Sequence, residues 1–85
     1  MDVCWNPKTE ADFKNMMAKV PIFLRPIAQE KVSKKAVSLA EKAGRREVSE
    51  KDMIDAFFAE TPFGFHGPLK TDMKDLGINY EQYGY

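Results

Sequence analysis

The side chains that could carry chemistry in this 85-residue chain are few and scattered. Cys4 is the single cysteine and His66 the single histidine, and they stand far apart in the sequence. Because a metal site needs several ligands at workable spacing, the sequence argues against a bound metal ion or iron–sulfur cluster. A lone cysteine cannot form an internal disulfide. The absence of disulfides is typical of proteins in a reducing compartment.

Catalytic groups are equally sparse. Ser33 and Ser38 belong to no nucleophile motif, and Ser49 is better placed to cap a helix. Asp52 and Asp55 form a pair of carboxylates on adjacent helical turns, but such pairs are common on exposed helices. The five glycines are scattered, so the sequence contains no phosphate-binding loop. We therefore expect no enzymatic activity from the chain itself, and no cofactor.

Charge is unevenly distributed along the chain, although the formal net charge is zero. Residues 25–46 hold seven basic side chains and two acidic ones, whereas residues 47–85 hold eight acids and three lysines. A basic face of this kind can dock an acidic partner. The alternative is an ordinary solvated helix face with a solvated acidic tail. The candidate partner-binding residues are Arg25, Lys31, Lys34, Lys35, Arg45 and Arg46.

The hydrophobic pattern predicts three main helices. Thr9, with Asp12 three residues later, is expected to cap the first helix, which ends near Lys19. A long second helix runs to a glycine cap at Gly44. Ser49 should cap the third helix, with Asp52 at its third position and Pro62 just beyond its end.

Two prolines, Pro21 and Pro26, stand at the head of the second helix. Pro21 suits the first position of a helix, where its missing N–H would have no partner. For Pro26 two readings are open: a short turn over residues 21–25 breaks before the main helix, or one helix runs through and kinks. We favour a break or kink, because nothing in the sequence replaces the lost hydrogen bond.

Residues 61–85 are expected to form an extension to the three-helix domain of residues 1–60. Its turn residues are Gly64, Gly67 and Pro68, followed by a short helical turn near residues 70–76 and an aromatic tail. The aromatic side chains of this extension either pack on the chain itself or bind a partner. His66 should be a surface or half-buried ring ending a turn. No segment has the alternating pattern of a strand.

The predicted fold is therefore a small all-α domain with short, long and short helices. No uncharged run approaches the ~20 apolar residues needed to span a bilayer. The first residues lack the pattern of a secretory signal, so we expect a cytoplasmic protein. The predicted core consists of Trp5, Phe13, Met17, Val20, Phe23, Leu24, Val32, Ala36, Leu39, Ala40, Val48, Met53, Ile54 and Phe57.

The sequence "VPIFLR" at residues 20–25 is the most specific motif in the chain. Together with Trp5, Gly44 and Ser49, it resembles the small C-terminal domain of the B subunit of light-independent protochlorophyllide reductase, also found as short free-standing proteins. The similarity covers roughly residues 5–59, and Pro26 departs from it by standing where a polar residue is usual. Its further matching positions are Ala11, Ala40 and Ala56.

The resemblance implies a non-catalytic accessory module, because in that family the iron–sulfur ligands and the pigment pocket belong to the large nitrogenase-like body. It implies a protein partner such as an iron–sulfur or reductase complex. The region around Arg45 and Arg46 also resembles the second half of a histone fold. That alternative predicts weak nucleic-acid binding through the same basic face.

Overall fold

The computed structural model describes residues 3–85 and confirms an all-α domain. Short 3₁₀ turns at Phe63–Phe65 and Glu81–Tyr83 complete the regular structure. No helix in the described part of the chain is long and apolar enough to cross a membrane. The four helices are α1 (Pro7–Lys19), α2 (Arg25–Lys42), α3 (Glu50–Glu60) and α4 (His66–Asp75).

The start of α1 differs from the expectation. Asn6, not Thr9, is the N-cap: its side-chain oxygen accepts hydrogen bonds from the backbone N–H groups of Lys8 and Thr9. Pro7 takes the first helical position, where its missing donor costs nothing. Thr9 instead lies buried inside the first turn. The Asn6–Pro7 pair is the stronger start signal, because asparagine is a favoured N-cap and proline a favoured first helical residue.

The two prolines are separated by a break between helices, as one of the two readings predicted. Residues 21–24 form a turn closed by a 2.9 Å hydrogen bond from the Leu24 N–H to the Pro21 carbonyl. The main helix then begins at Arg25, so Pro26 falls in its first turn, where no N–H needs an intrahelical partner. The turn points Ile22 and Phe23 outward. The prediction that Phe23 and Leu24 belong to the core was therefore wrong.

Helix α2 ends with the predicted glycine cap. Gly44 has a positive φ of 73°, and its N–H donates to the Glu41 carbonyl while the Arg45 N–H donates to that of Ala40. This pair of bonds is the Schellman arrangement, which favours glycine at the left-handed position. The cap turns the chain back towards the N-terminal segment.

A short parallel strand pair, which was not expected from the sequence, joins the segment before α1 to the segment before α3. The strand β1 (Cys4–Trp5) pairs with β2 (Glu47–Val48). The Cys4 N–H donates to the Arg46 carbonyl at 2.9 Å. At two residues each, the strands are too short to show an alternating pattern, which explains why none was predicted.

The fourth helix is longer than predicted and starts earlier. It begins at His66 and includes Gly67 and Pro68 in its first turn, where they were expected to form a loop. Leu69 and Met73 on this helix are buried in the same core as α1–α3, together with Ile78 after it. Residues beyond 60 therefore supply part of the hydrophobic core, which the predicted core omitted.

Much of the remaining predicted core is observed. Trp5, Val20 and Leu39 are partly buried against the core rather than inside it. The buried apolar residues are Phe13, Met16, Met17, Val32, Ala36, Ala40, Val48, Met53, Ile54, Ala56, Phe57, Phe58, Leu69, Met73 and Ile78. Helices α2 and α3 make the most extensive helix–helix contact, which the small Ala36 and Ala40 on the buried face of α2 allow to be close.

Candidate functional site

Arg25, the basic residue of the specific motif, is engaged within its own chain. One terminal nitrogen, Nη2, donates to the carbonyl of Val20 at 3.0 Å and to that of Ala18 at 3.3 Å. These carbonyls lie at the C-terminal end of α1, where a positive charge is favourable. A cation in the first turn of α2 is thus explained, because it stabilises the end of the preceding helix.

Arg45 is likewise bound by groups of its own chain, although its side chain is 42% exposed. Its guanidinium makes a two-pronged ion pair with the carboxylate of Asp52, at 2.6 and 2.8 Å, and also donates to the Ser49 hydroxyl. Ser49 and Asp52 form the predicted capping box at the start of α3. Burial opposes ionisation of Asp52, but the hydrogen bonds from Arg45 and Ser49 outweigh it and lower the pKa of this carboxyl.

The remaining predicted cations do not form one patch with these two arginines. Lys34 pairs with Glu30 one helical turn away at 2.9 Å, and both side chains are exposed. Arg25 and Arg46 lie at opposite ends of α2, an 18-residue helix about 27 Å long. Within residues 3–85, Lys31, Lys35 and Arg46 form no ion pair.

The structure instead exposes a cluster of large apolar side chains, which we call the apolar surface. They come from two turns, residues 21–24 and 63–65, and from the first turns of α2. The members and their exposed fractions are Ile22 76%, Phe23 76%, Leu24 44%, Ile27 57%, Phe63 87% and Phe65 63%. Such a concentration is unusual, since scattered single apolar residues are the norm on a protein surface.

A groove of about 440 Å³ is lined by part of the apolar surface. Leu24, Ile27 and Phe65 contribute exposed walls, and buried side chains such as Met17 and Phe57 form its floor. Three charged residues also line the groove: Lys31, Glu60 and Asp72. Among the six predicted partner-binding residues, Lys31 alone contributes to this groove. Sequence periodicity missed the site because it assigned Phe23 and Leu24 to the core.

Two of the groups considered for catalysis or metal binding, His66 and Ser49, have structural roles. His66 donates from Nε2 to the carbonyls of Phe58 and Thr61, at 3.1 and 2.9 Å, and so caps the end of α3. Ser49 serves the capping box. Cys4 is exposed and unpaired. In the described part of the chain, no group of three or more His, Cys, Asp or Glu side chains could hold a metal ion.

The C-terminal tail packs on α3. The Tyr85 ring stacks on Phe58 with centroids 4.0 Å apart, and its hydroxyl donates to Asp55 at 2.6 Å. The Tyr83 hydroxyl donates to Glu50 at 3.1 Å. Of the two alternatives for the aromatic extension, self-packing therefore describes the tyrosines. Phe63 remains exposed, as does Phe65.

Comparison with protein-family models, with curated proteins and with solved structures finds no match to this chain. The resemblance to the reductase appendage thus rests on the sequence motif alone. The geometry of the apolar surface is the strongest guide to function.

Proposed function

We propose that the protein is a non-catalytic interaction module that binds another protein molecule through the apolar surface. One observation carries the proposal: six large apolar side chains are exposed on two turns and the start of α2 in a chain of only 85 residues, and three of them, Leu24, Ile27 and Phe65, line one groove. A concentration of exposed apolar side chains of this kind marks sites of protein–protein contact. Phenylalanine and isoleucine side chains there would be removed from water on binding.

The competing proposal, a weak nucleic-acid binder, has less support. Phosphate binding requires several free cations close together, but two of the six predicted cations, Arg25 and Arg45, already bind groups of their own chain, and the others do not form one patch with them. Phe63 and Phe65 could stack on bases, yet the groove beside them contains two acids, Glu60 and Asp72, which repel phosphate.

The resemblance to the reductase appendage supports a location for this module in the cell. As a relative of the reductase appendage, the module would act on or beside a redox complex and would take no part in its chemistry. The proposal needs no bound cofactor and no catalytic residue in this chain.

Photo-crosslinking in the native host tests the function directly. A photoreactive amino acid is placed at Ile27, in a wall of the groove, and in a matched control at Glu41, exposed near the other end of α2. After nuclease treatment, crosslinked products are identified and their sites mapped by mass spectrometry. We expect a discrete protein adduct from position 27 and none from position 41. Absence of any protein adduct at 27, or identical adducts from both positions, would overturn the proposal.

A further inference from the structure

We propose that the molecule seated on the apolar surface is a second copy of this chain, so that the protein forms a dimer with two-fold symmetry. This inference rests on the proposed function and names the partner at the groove. In a two-fold dimer, the same surface of each copy covers the other. A redox complex would then be recognised by the dimer as a whole.

The area of the apolar surface matches what a stable dimer needs. The exposed fractions of its six members are together equivalent to about four whole side chains. At roughly 200 Å² for a large side chain, they offer about 800 Å² of apolar area. A standard specific interface buries about 800 Å² on each partner, of which roughly 450 Å² is apolar. The apolar surface is therefore large enough to supply the apolar part of a dimer interface.

The charged side chains of the groove would complement those of a second copy. Lys31 and Glu60 both line it, and neither is in an ion pair within residues 3–85. A two-fold axis passing between them brings Lys31 of each copy to Glu60 of the other, which makes two ion pairs. Asp72 lies 3.9 Å from Lys19 of its own chain and is already partly neutralised.

Long-range electrostatics do not oppose this association. The chain has a formal net charge of zero, so two copies approach without net repulsion. A different partner would have to supply one cation and one anion at the right separation, whereas a second copy supplies both through the symmetry.

Sedimentation velocity over a range of protein concentrations measures the dimer directly. We expect the wild-type protein to dimerise and Ile27→Asp to be monomeric. Lys31→Glu and Glu60→Lys each replace two attractions by two repulsions, so each should weaken the dimer about tenfold or more. Mixing these two variants should restore dimerisation, because every cross-pair in the mixed dimer again joins opposite charges. The double variant should also dimerise.

Lys35→Glu, on α2 outside the groove lining, is the matched control and should leave the dimer unchanged. Circular dichroism verifies that each variant is folded. A monomeric wild-type protein, or a mixture of Lys31→Glu and Glu60→Lys that stays monomeric while the single variants are folded, would overturn the inference. If the wild type is monomeric but Ile27 crosslinks to a different protein, the second-copy inference fails alone. If Ile27 crosslinks to nothing, the proposed function fails as well.

Discussion

Replacing Asp52 by asparagine tests the interaction that joins the end of α2 to the start of α3. The Asp52 side chain is 3% exposed and accepts hydrogen bonds from Arg45 and from the backbone and hydroxyl of Ser49. Asparagine keeps the shape but removes the charge, and its amide nitrogen cannot accept. A buried group left without its partner costs about 1–3 kcal/mol. We therefore expect a loss of about 2 kcal/mol, or roughly 8–16 °C in melting temperature.

The same variant predicts a pH dependence. The folded-state pKa of Asp52 is lowered from its ordinary 3.8. The ionised carboxylate thus stabilises the fold fully above the unfolded-state value, and this contribution is lost as the pH falls through the lower folded-state pKa. The stability difference between the wild type and Asp52→Asn should be largest near pH 7 and should shrink below about pH 4.

Urea unfolding followed by circular dichroism at pH 7 and at pH 3 measures both effects. Glu41→Gln, at an exposed acid of α2, is the control and should change stability by less than about 0.5 kcal/mol. If Asp52→Asn unfolds within that margin of the wild type at pH 7, or loses the same stability at both pH values, the assigned role of the Arg45–Asp52 pair is wrong.

Three further predictions concern other parts of the fold. Gly44→Ala should destabilise the protein by about 1 kcal/mol in urea unfolding because φ is 73° there, whereas Gly64→Ala, at ordinary φ and in open space, should be nearly neutral. Arg25→Met should lower stability by about 1 kcal/mol through loss of the α1 cap, while Arg46→Met should not; equal effects would contradict the capping role. The hydrogen bond to its carboxylate neighbour on α3, with burial, raises the pKa of Tyr85 to about 12. An absorbance titration should therefore show a tyrosine ionising near pH 12 that is absent from Tyr85→Phe, whereas Tyr83, whose pKa is also raised by burial and by Glu50, should still titrate in that variant. The stability from the Tyr85 contact should be lost as the pH rises from about 10 to 12.

Sequence reasoning succeeded where local chemistry leaves one solution. The Ser49–Asp52 spacing predicted the cap of α3, the glycine after α2 predicted its end, and the proline pair predicted a break or a kink, of which the structure has the break. Each of these features depends on residues no more than five positions apart. The predicted start of α4 is too late because Gly67 and Pro68 are typical loop residues. Both are nevertheless tolerated in the first turn of a helix. The spacing of Leu69 and Met73, one helical turn apart, was the available signal.

The candidate site could not be read from the sequence to the same degree. Phe23 and Leu24 have core-like side chains, and only the tertiary path of the turn decides that they face outward. Likewise, Arg45 and Asp52 are seven residues apart across a loop, so no helical spacing predicts their ion pair. Composition alone places the six basic residues in one candidate surface, but Arg25 and Arg45 hold helix ends together.

The turn that exposes the apolar surface is held by the same residues that separate α1 from α2. Burying a phenylalanine and a leucine would add about 1.5–3 kcal/mol each to the stability of this small domain, yet Phe23 and Leu24 stay outside. Pro21 starts the turn, and Arg25 ties its far end back to the last carbonyls of α1. The side chains between these two anchors cannot reach the core without breaking the helix cap. In the proposed interaction, Arg25 would therefore act indirectly: it fixes the backbone that exposes Phe23 and Leu24, and it would not itself have to touch a partner.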